Sequence, residues 1–531
     1  MVDEAYDVVV VGGGAAGLSG ALALARARRS VLVVDAGQPR NAPAGHVHNY
    51  LAREGAPPAE LVAAGRDEVT RYGGHVVAGR VETATREGDG FLVRLERGEG
   101  VRARRLLVTT GLVDELPDVP GVAERWGRDV LHCPYCHGWE VRDRRIGVLA
   151  TGPTALHQAQ LWRQWSPHVL LLLHTAAAPD TEDTEDAEQL AARGISVVDG
   201  PVAGLVVAGD TLSGVRLASG EVVALDAVVV APRFTARAGV LESLGLKPVD
   251  VEMGGHVVGS QVPADATGAT AVPGVWVAGN VADIRAQVIV AAAAGLTAGA
   301  AINADLVAED SRTAVGAYRH RVRTMFEQDA WEERYRTKPA VWSGRPNPQL
   351  VAEATGLTPG RALDVGCGEG ADAVWLAERG WRVTAVDIAP TALRRAAAHA
   401  ATAGAQIAAR IEWTHADLRH EAPAEGAYDL VSSQFMYLPG DARRDLFAQL
   451  AAAVAPGGTL LIVGHHPSDL QTTAHRMHFP DMMFTGEQVA SSLDPTAWQV
   501  LAAEARPRVA VDPEGRDVTI HDAVLVARRR A

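Results

Sequence analysis

Cys133 and Cys136 are two of only three cysteines in 531 residues, and they form the chain's one Cys-x-x-Cys. That spacing lets the pair close a disulfide, and a helix start there would lower the pKa of one thiol. In a cysteine-poor chain the motif suggests redox chemistry in a reducing compartment rather than a disulfide scaffold. His132 precedes the pair and His137 follows it. Oxidising a substrate dithiol requires a base to form its thiolate. His132 is the first candidate for that base and His137 the second; either could instead be a satisfied core histidine. A zinc site would need a second ligand pair, which the flanking His132 and His137 could supply, but the pattern matches no established zinc motif and no metal is expected. The competing account is a pair of buried, inert thiols.

A second kind of chemistry lies in three glycine-bearing turns. Gly12-x-Gly14-x-x-Gly17 follows the apolar run Tyr6–Val11 and opens a helix through about Arg28. Ser30–Val34 reads as the next strand, and Asp35 ends it, 21 positions after Gly14. This is a dinucleotide cradle. Gly12 permits the tight turn, Gly14 lets backbone approach pyrophosphate, Gly17 lets the helix pack close, and Asp35 binds ribose hydroxyls. The second turn, Ala150-Thr-Gly152-Pro153-Thr-Ala155, follows Arg145–Leu149 but has Ala where the first Gly belongs. After the next strand, Val169–Leu173, no Arg occurs between His174 and Arg193, so a 2′-phosphate would go unpaired. This turn is expected to hold a dinucleotide phosphate poorly. The third turn, Gly366-Cys367-Gly368-Glu369-Gly370, follows Arg361–Val365, and Asp387 ends the strand after it.

Strand-like runs alternate with Ala-rich helical stretches along the whole chain, the sign of α/β units with parallel sheets. At about 150 residues per domain the length suggests three to four domains. The expected fold class is α/β: two Rossmann-like FAD/NAD(P)-type domains fused to a third Rossmann-like domain. The expected boundaries are 1–115 and 241–310 for a discontinuous first domain, 116–240 for an inserted one, 311–330 for a linker, and 331–531 for the last. Apolar residues make up 47% of the chain, a globular composition. The net charge of −14 gives no footprint for nucleic acid or anionic membrane. The acidic run Asp180–Glu188 reads as a solvated loop and helix start. Val8–Ala25 follows acids, not a basic segment, and Gly12–Gly14 breaks it, which argues against a signal peptide. Val288–Ile302 is apolar but short of a membrane span and reads as a buried helix. A soluble cytoplasmic protein is expected, with neither nucleic acid nor membrane as partner.

The N-terminal half, about residues 5–308, resembles the low-molecular-weight thioredoxin reductases. The resemblance rests on the Gly12–Gly17 cradle, the dithiol and Val272-Pro-Gly-Val-Trp-Val-Ala-Gly279-Asn280. It implies FAD, held also by Gly279, Asn280, the nearby Asp283 and Gln287, and a homodimer through this half. It further implies that Cys136 lies nearest the flavin and Cys133 meets substrate. Against this resemblance, the second turn implies a scaffold without tight NADPH binding. The family's acid after the second cysteine is His137 here, and its acid after Ala-Gly is Asn280. His132-Cys-Pro-Tyr-Cys-His137-Gly-Trp-Glu140 is closer to the flavin dithiol oxidases of gliotoxin and holomycin biosynthesis, which close disulfides in small molecules with oxygen as acceptor. The C-terminal half is similar to class I S-adenosylmethionine methyltransferases through Leu363-Asp364-Val-Gly366-Cys-Gly368-Glu-Gly370, His415-Ala-Asp417-Leu418 and Tyr428-Asp429-Leu-Val. Asp364, the three glycines, Asp387 and Asp417 would then contact S-adenosylmethionine. Trp342, Gln434, Tyr437, His465 and His466 are candidates for the methyl-acceptor site. The expected function is a bifunctional enzyme: oxidation of a small-molecule dithiol through FAD with oxygen as acceptor, and methyl transfer, with thiols as the candidate acceptors. Two alternatives stay open at this point: an NADPH-driven reductase fused to an unrelated methyltransferase, and a non-enzymatic flavin redox sensor.

Overall fold

A computed structural model describes residues 5–152, 154–175, 184–436, 438–473 and 480–531. Tyr437, Pro153 and the acidic run as far as residue 183 lie outside the described residues. The chain divides into two compact units, Met1–Arg312 and Thr313–Ala531.

In the first unit, four β-branched valines make Ala5–Val11 a strand buried on both faces. It pairs in parallel with Val31–Asp35 on one side and Gly100–Val108 on the other. Val275–Val277 joins the far edge of Gly100–Val108, again in parallel. The dinucleotide turn and the C-terminal segment thus end at the same edge of one sheet. A second, five-stranded parallel sheet holds Ile146–Leu149 between Val169–Leu172 and Ala227–Val229, with Val130–Leu131 at its rim. The chain enters and leaves this inserted part through Leu112–Glu115 and Arg233–Ala236, which pair antiparallel.

The apolar run near residue 288 departs from expectation. The helix it opens, Val288–Thr324, is 37 residues long, because helix-forming Ala, Glu and Arg continue past the apolar stretch. By length and composition alone it could cross a membrane, and 28% of its apolar window is buried. Ile289, Val290, Leu296 and Val307 are exposed, so it is not the buried helix expected. Its other face is bound to the first unit. A Cβ on Gly295 would overlap the Ala16 carbonyl, and one on Gly299 would lie 2.7 Å from Gly20 O. Further along, Asp305 and Glu309 pair with Arg105, and Asp310 with Arg29 and Arg104.

The second unit is one seven-stranded sheet. Counted from its own first strand, Arg361–Val365, the order is 3-2-1-4-5-7-6. The last two strands, Trp498–Val511 and Asp517–Arg529, form an antiparallel hairpin. Strand order reverses between Arg361–Val365 and Tyr428–Gln434, the position where open α/β sheets bind ligands.

Candidate functional site

A cavity of about 1300 Å³ opens in the first unit. It exceeds the usual range of about 300–1,000 Å³ for drug-sized ligands. Gly12–Ala16, Asp35, Gly279–Asn280 and Gln287 line it together with His132, Cys133, Cys136 and His137. Gly12 has φ +110°, and a Cβ there would meet Thr109 O at 2.6 Å. A Cβ on Gly17 would overlap the Gly12 carbonyl, whereas at Gly14 nothing lies within 4 Å. The helix Ala15–Arg26 begins at Gly14 without a side-chain cap, so its first N–H groups stay available for a phosphate. Arg66 Nε, buried at the same cavity, has no partner. These features fit FAD.

Three expected FAD contacts are modified. The Asp35 carboxylate accepts from Arg66 and from Gly37 N, so it meets a ribose already partnered. Asn280 Nδ2 donates to the Asp283 and Ala286 carbonyls, and its Oδ1 accepts from Arg40. Its amide holds the turn, leaving little for a ribityl hydroxyl. Asp283 does not line the cavity; its Oδ1 accepts from Arg285 N and closes a turn. Asx residues commonly cap turns in this way.

Cys133 caps the short helix Pro134–His137, and Pro134 at its first position suits a helix start. Cys136 Sγ donates to Cys133 Sγ at 3.0 Å. This bond, with backbone N–H groups of Cys136 and Tyr135 and the Gln287 side chain, outweighs burial and pulls the Cys133 thiol down to about 6. The Cys136 thiol is pushed up in turn, first by its bond to Cys133 and then by burial. His132 Nδ1 lies 3.0 Å from Val230 O. A carbonyl only accepts, so Nδ1 carries the proton and Nε2 keeps its lone pair. Burial lowers the pKa of His132, which keeps the ring unprotonated, with the Nε2 lone pair able to accept a proton. His137 is lowered by burial too, with Glu140 opposing. Sequence reasoning missed Arg40, Asp114, His46 and His48, all of which line this cavity. His48 bonds Glu54 at 2.6 Å and reaches Glu140 at 3.4 Å, and Asn49 Nδ2 donates to Tyr135 O. A loop of mixed polar residues gave no local signal that it folds over the dithiol.

In the second unit, Gly366, Gly368 and Gly370 all have positive φ, so only glycine suits the turn. Asp387 accepts from Gly368 N at 2.8 Å and Ala389 N at 2.9 Å, which fixes its carboxylate beside the loop. Three buried polar atoms at the strand ends have no partner: Asp364 Oδ2, Ser433 Oγ and Gln434 Oε1. Asp364 is pushed well up by burial and by the charges of Asp372 and Asp387. Burial raises Asp372 to about 6. Buried carboxylates in this state gain from a cationic ligand. The sulfonium and ammonium of S-adenosylmethionine fit that need.

Other expected contacts of this unit are changed. Asp417 is bound by the Arg419 guanidinium through both oxygens, so it is not free for an adenine. His466 Nδ1 accepts from Ser468 N and caps Pro467–Gln471, a structural task in place of the base role. The His465 ring packs at a tilt against Phe435, with ring centroids 4.8 Å apart. Phe435 itself has φ +56°, a strained backbone at the end of the fourth strand. Trp342 Nε1 donates to Tyr335 OH at 2.9 Å, and both side chains lie over Gly368. Buried Glu369 pins this segment by accepting from Val341 N and Trp342 N.

A dinucleotide cradle and a dithiol on one cavity define a flavin-dependent disulfide oxidoreductase, and a glycine turn at a strand-order reversal defines a methyltransferase. Residues 6–295 match the pyridine nucleotide-disulphide oxidoreductase family, and 362–458 match a methyltransferase domain. The chain belongs to the pyridine nucleotide-disulphide oxidoreductase family and carries a C-terminal methyltransferase domain. It is similar to thioredoxin reductase tcpT of Claviceps purpurea, 39% identical over 31% of this chain and 54% of that protein, so it spans about half of that relative. It is 29% identical to thioredoxin reductase sirT of Leptosphaeria maculans, over 57% of this chain and 95% of the relative. The solved structure of HlmI is similar with a TM-score of 0.55 and 46% identity, covering 60% of this chain and 97% of HlmI. The N-terminal half is an FAD-dependent oxidoreductase, and the methyltransferase domain takes S-adenosylmethionine.

Proposed function

We propose that the N-terminal half oxidises a small-molecule dithiol to a disulfide, with oxygen as final acceptor, and that the C-terminal half methylates thiols, including those of the same reduced substrate. The observation that carries this reading is the dithiol's place on the cradle cavity beside a His132 whose free Nε2 can take a thiol proton. One substrate thiolate bonds to Cys133 Sγ and displaces Cys136. The second substrate sulfur then attacks the first and releases Cys133. The backbone N–H groups of Cys136 and Tyr135 favour negative charge on Cys133, which helps it leave in that closing step. FAD, when bound, supplies a two-electron acceptor that returns the cysteines to the disulfide.

The relatives' names favour a second reading, an NADPH-driven reductase. Against it stands the second turn, where Ala150 replaces glycine. One experiment separates the two. Purified protein is mixed anaerobically with dithiothreitol or with NADPH, and air is then admitted. Bleaching by the dithiol and recovery of colour in air, with peroxide formed, supports the oxidase. Rapid bleaching by micromolar NADPH overturns it. Oxygen, a cytoplasmic location and a homodimer through the flavoprotein half are parts of the same proposal. The exposed Ile289, Leu296 and Val307 offer that dimer an apolar contact.

A further inference from the structure

The loop after Val31–Asp35 places Arg40 on the wall of the cavity that holds the dithiol. Arg40 donates from Nε at 2.8 Å and Nη2 at 2.6 Å to the two oxygens of Asp114, and from Nη1 at 3.2 Å to Asn280 Oδ1. Its guanidinium lies 5.3 Å over the Phe234 ring. The His132 ring meets the same Phe234 edge-on at 5.2 Å. The Asp114 side chain is 9% exposed and that of Arg40 30%, so this pair is drier than a surface ion pair. Both line the cavity with Cys136. Charges in such a place act more strongly than in water.

In the reduced pair Cys136 Sγ donates to Cys133 Sγ, which favours charge on Cys133. Once a substrate sulfur is bonded to Cys133, that partner is lost. The electron pair then rests on Cys136, where burial disfavours charge. The other ionisable groups lining this cavity are His132 at the end of Val130–Leu131, Tyr135 and His137 on the dithiol helix, His46 and His48 on the covering loop, Arg237 and Arg285 on the wall, and Asp35, Arg66, Arg80, Glu82 and Glu96, with Glu140 beside His48. Besides Cys133, Arg40 is the charge that acts on Cys136, and its effect favours the thiolate.

We propose that Arg40 is a positioning residue for the exchange step, holding the electron pair released to Cys136, and that Asp114 sets how strongly it does so. This rests on the dithiol-oxidation reading. In the step concerned, the substrate thiolate bonds to Cys133 Sγ, the Cys133–Cys136 bond breaks, and its electron pair leaves on Cys136 Sγ. The substrate sulfur is oxidised and the Cys136 sulfur reduced, with the Cys133–Cys136 disulfide as the oxidant and no external one consumed.

The test uses the FAD-loaded full chain carrying Cys133→Ser, so that Cys136 titrates alone. The readout is the pH dependence of Cys136 alkylation by iodoacetamide, followed by mass spectrometry, with the long-wavelength thiolate–flavin band as a second probe. Arg40→Gln should raise the midpoint by on the order of one pH unit. Arg40→Lys should restore most of it. Asp114→Asn should move the midpoint the other way, which loss of local packing would not do. An unmoved midpoint in Arg40→Gln, or shifts of the same sign in Arg40→Gln and Asp114→Asn, would overturn the proposal. Should Arg40→Gln lose FAD, Asp114→Asn decides: a midpoint that fails to fall refutes the clamp. Neither substrate nor oxygen enters this measurement, so its failure is distinct from a failure of dithiols to bleach the flavin.

Discussion

The two nucleotide-type turns of the first unit begin alike and then part. Gly12 N donates to Val34 O and Ala150 N to Leu172 O, both at 2.9 Å, so each turn is pinned to the neighbouring strand by the same bond. Gly12 then turns with φ +110°. Ala150 is not among the residues with positive φ, and its side chain is buried. A Cβ at Gly17 would overlap the Gly12 carbonyl, whereas the matching Ala155 carries its Cβ and bonds Gly152 O at 3.3 Å. The strand after the first turn ends in Asp35, held by Arg66. The strand after the second leads to His174, whose Nδ1 accepts from Val202 N. The difference teaches that a parallel sheet keeps the anchoring bond of its first turn whether or not a glycine with positive φ follows it. The hydrogen bond that anchors the turn belongs to the fold, and the glycine conformation belongs to the ligand.

The sharpest way to break this contrast is at the glycines. Gly17→Val should give a protein without flavin absorbance, because the new side chain and the Gly12 carbonyl claim the same space. Ala150→Gly should leave FAD content unchanged and cost at most about 1 kcal/mol in denaturant unfolding. Equal effects of the two would erase the distinction. Next in size, NADPH should leave the colour intact over the time in which a dithiol bleaches it.

Within the working cradle, His132→Ala should slow anaerobic bleaching by a dithiol at neutral pH by roughly 10²–10⁴-fold, the usual worth of a positioned base. The deficit should shrink as pH rises through the substrate thiol's own pKa. A deficit constant with pH would move the base role to His137.

The third turn extends the comparison to the methyltransferase. Asp387→Ala should weaken S-adenosylmethionine binding by about 1.5–3 kcal/mol in calorimetry, as expected for a bond to a charged group. Unchanged affinity would displace the site. The smallest effect is on pH. Burial raises Asp364 and Asp372, the latter to about 6, and both bind a cation best when ionised. Affinity should therefore rise as pH increases from 5 to 7, with protons released on binding. In the empty protein the sign is opposite. An acid raised on folding holds its proton in the folded state between its unfolded and folded pKa, so stability falls as pH rises across that window. Binding that weakens toward pH 7 would show that these acids do not face the ligand.

What the sequence determined by itself is whatever depends on local spacing. The Gly12–Gly17 cradle with Asp35, the Cys133–Cys136 pair at a helix start, and the Gly366–Gly370 turn with Asp387 were all legible, because turn conformations and strand alternation are written within about 25 residues. The departure of Ala150 from the glycine pattern was legible for the same reason. Only the tertiary structure decided how side chains were spent. Asp283, Asn280, Asp417 and His466 have the right chemistry in the right motif, yet turn closure or a neighbouring Arg claims them. Arg40 gave no local signal, since its partners Asp114 and Phe234 lie 74 and 194 positions away. A buried charge is placed where distant segments exclude water together, and spacing along one segment carries no record of that.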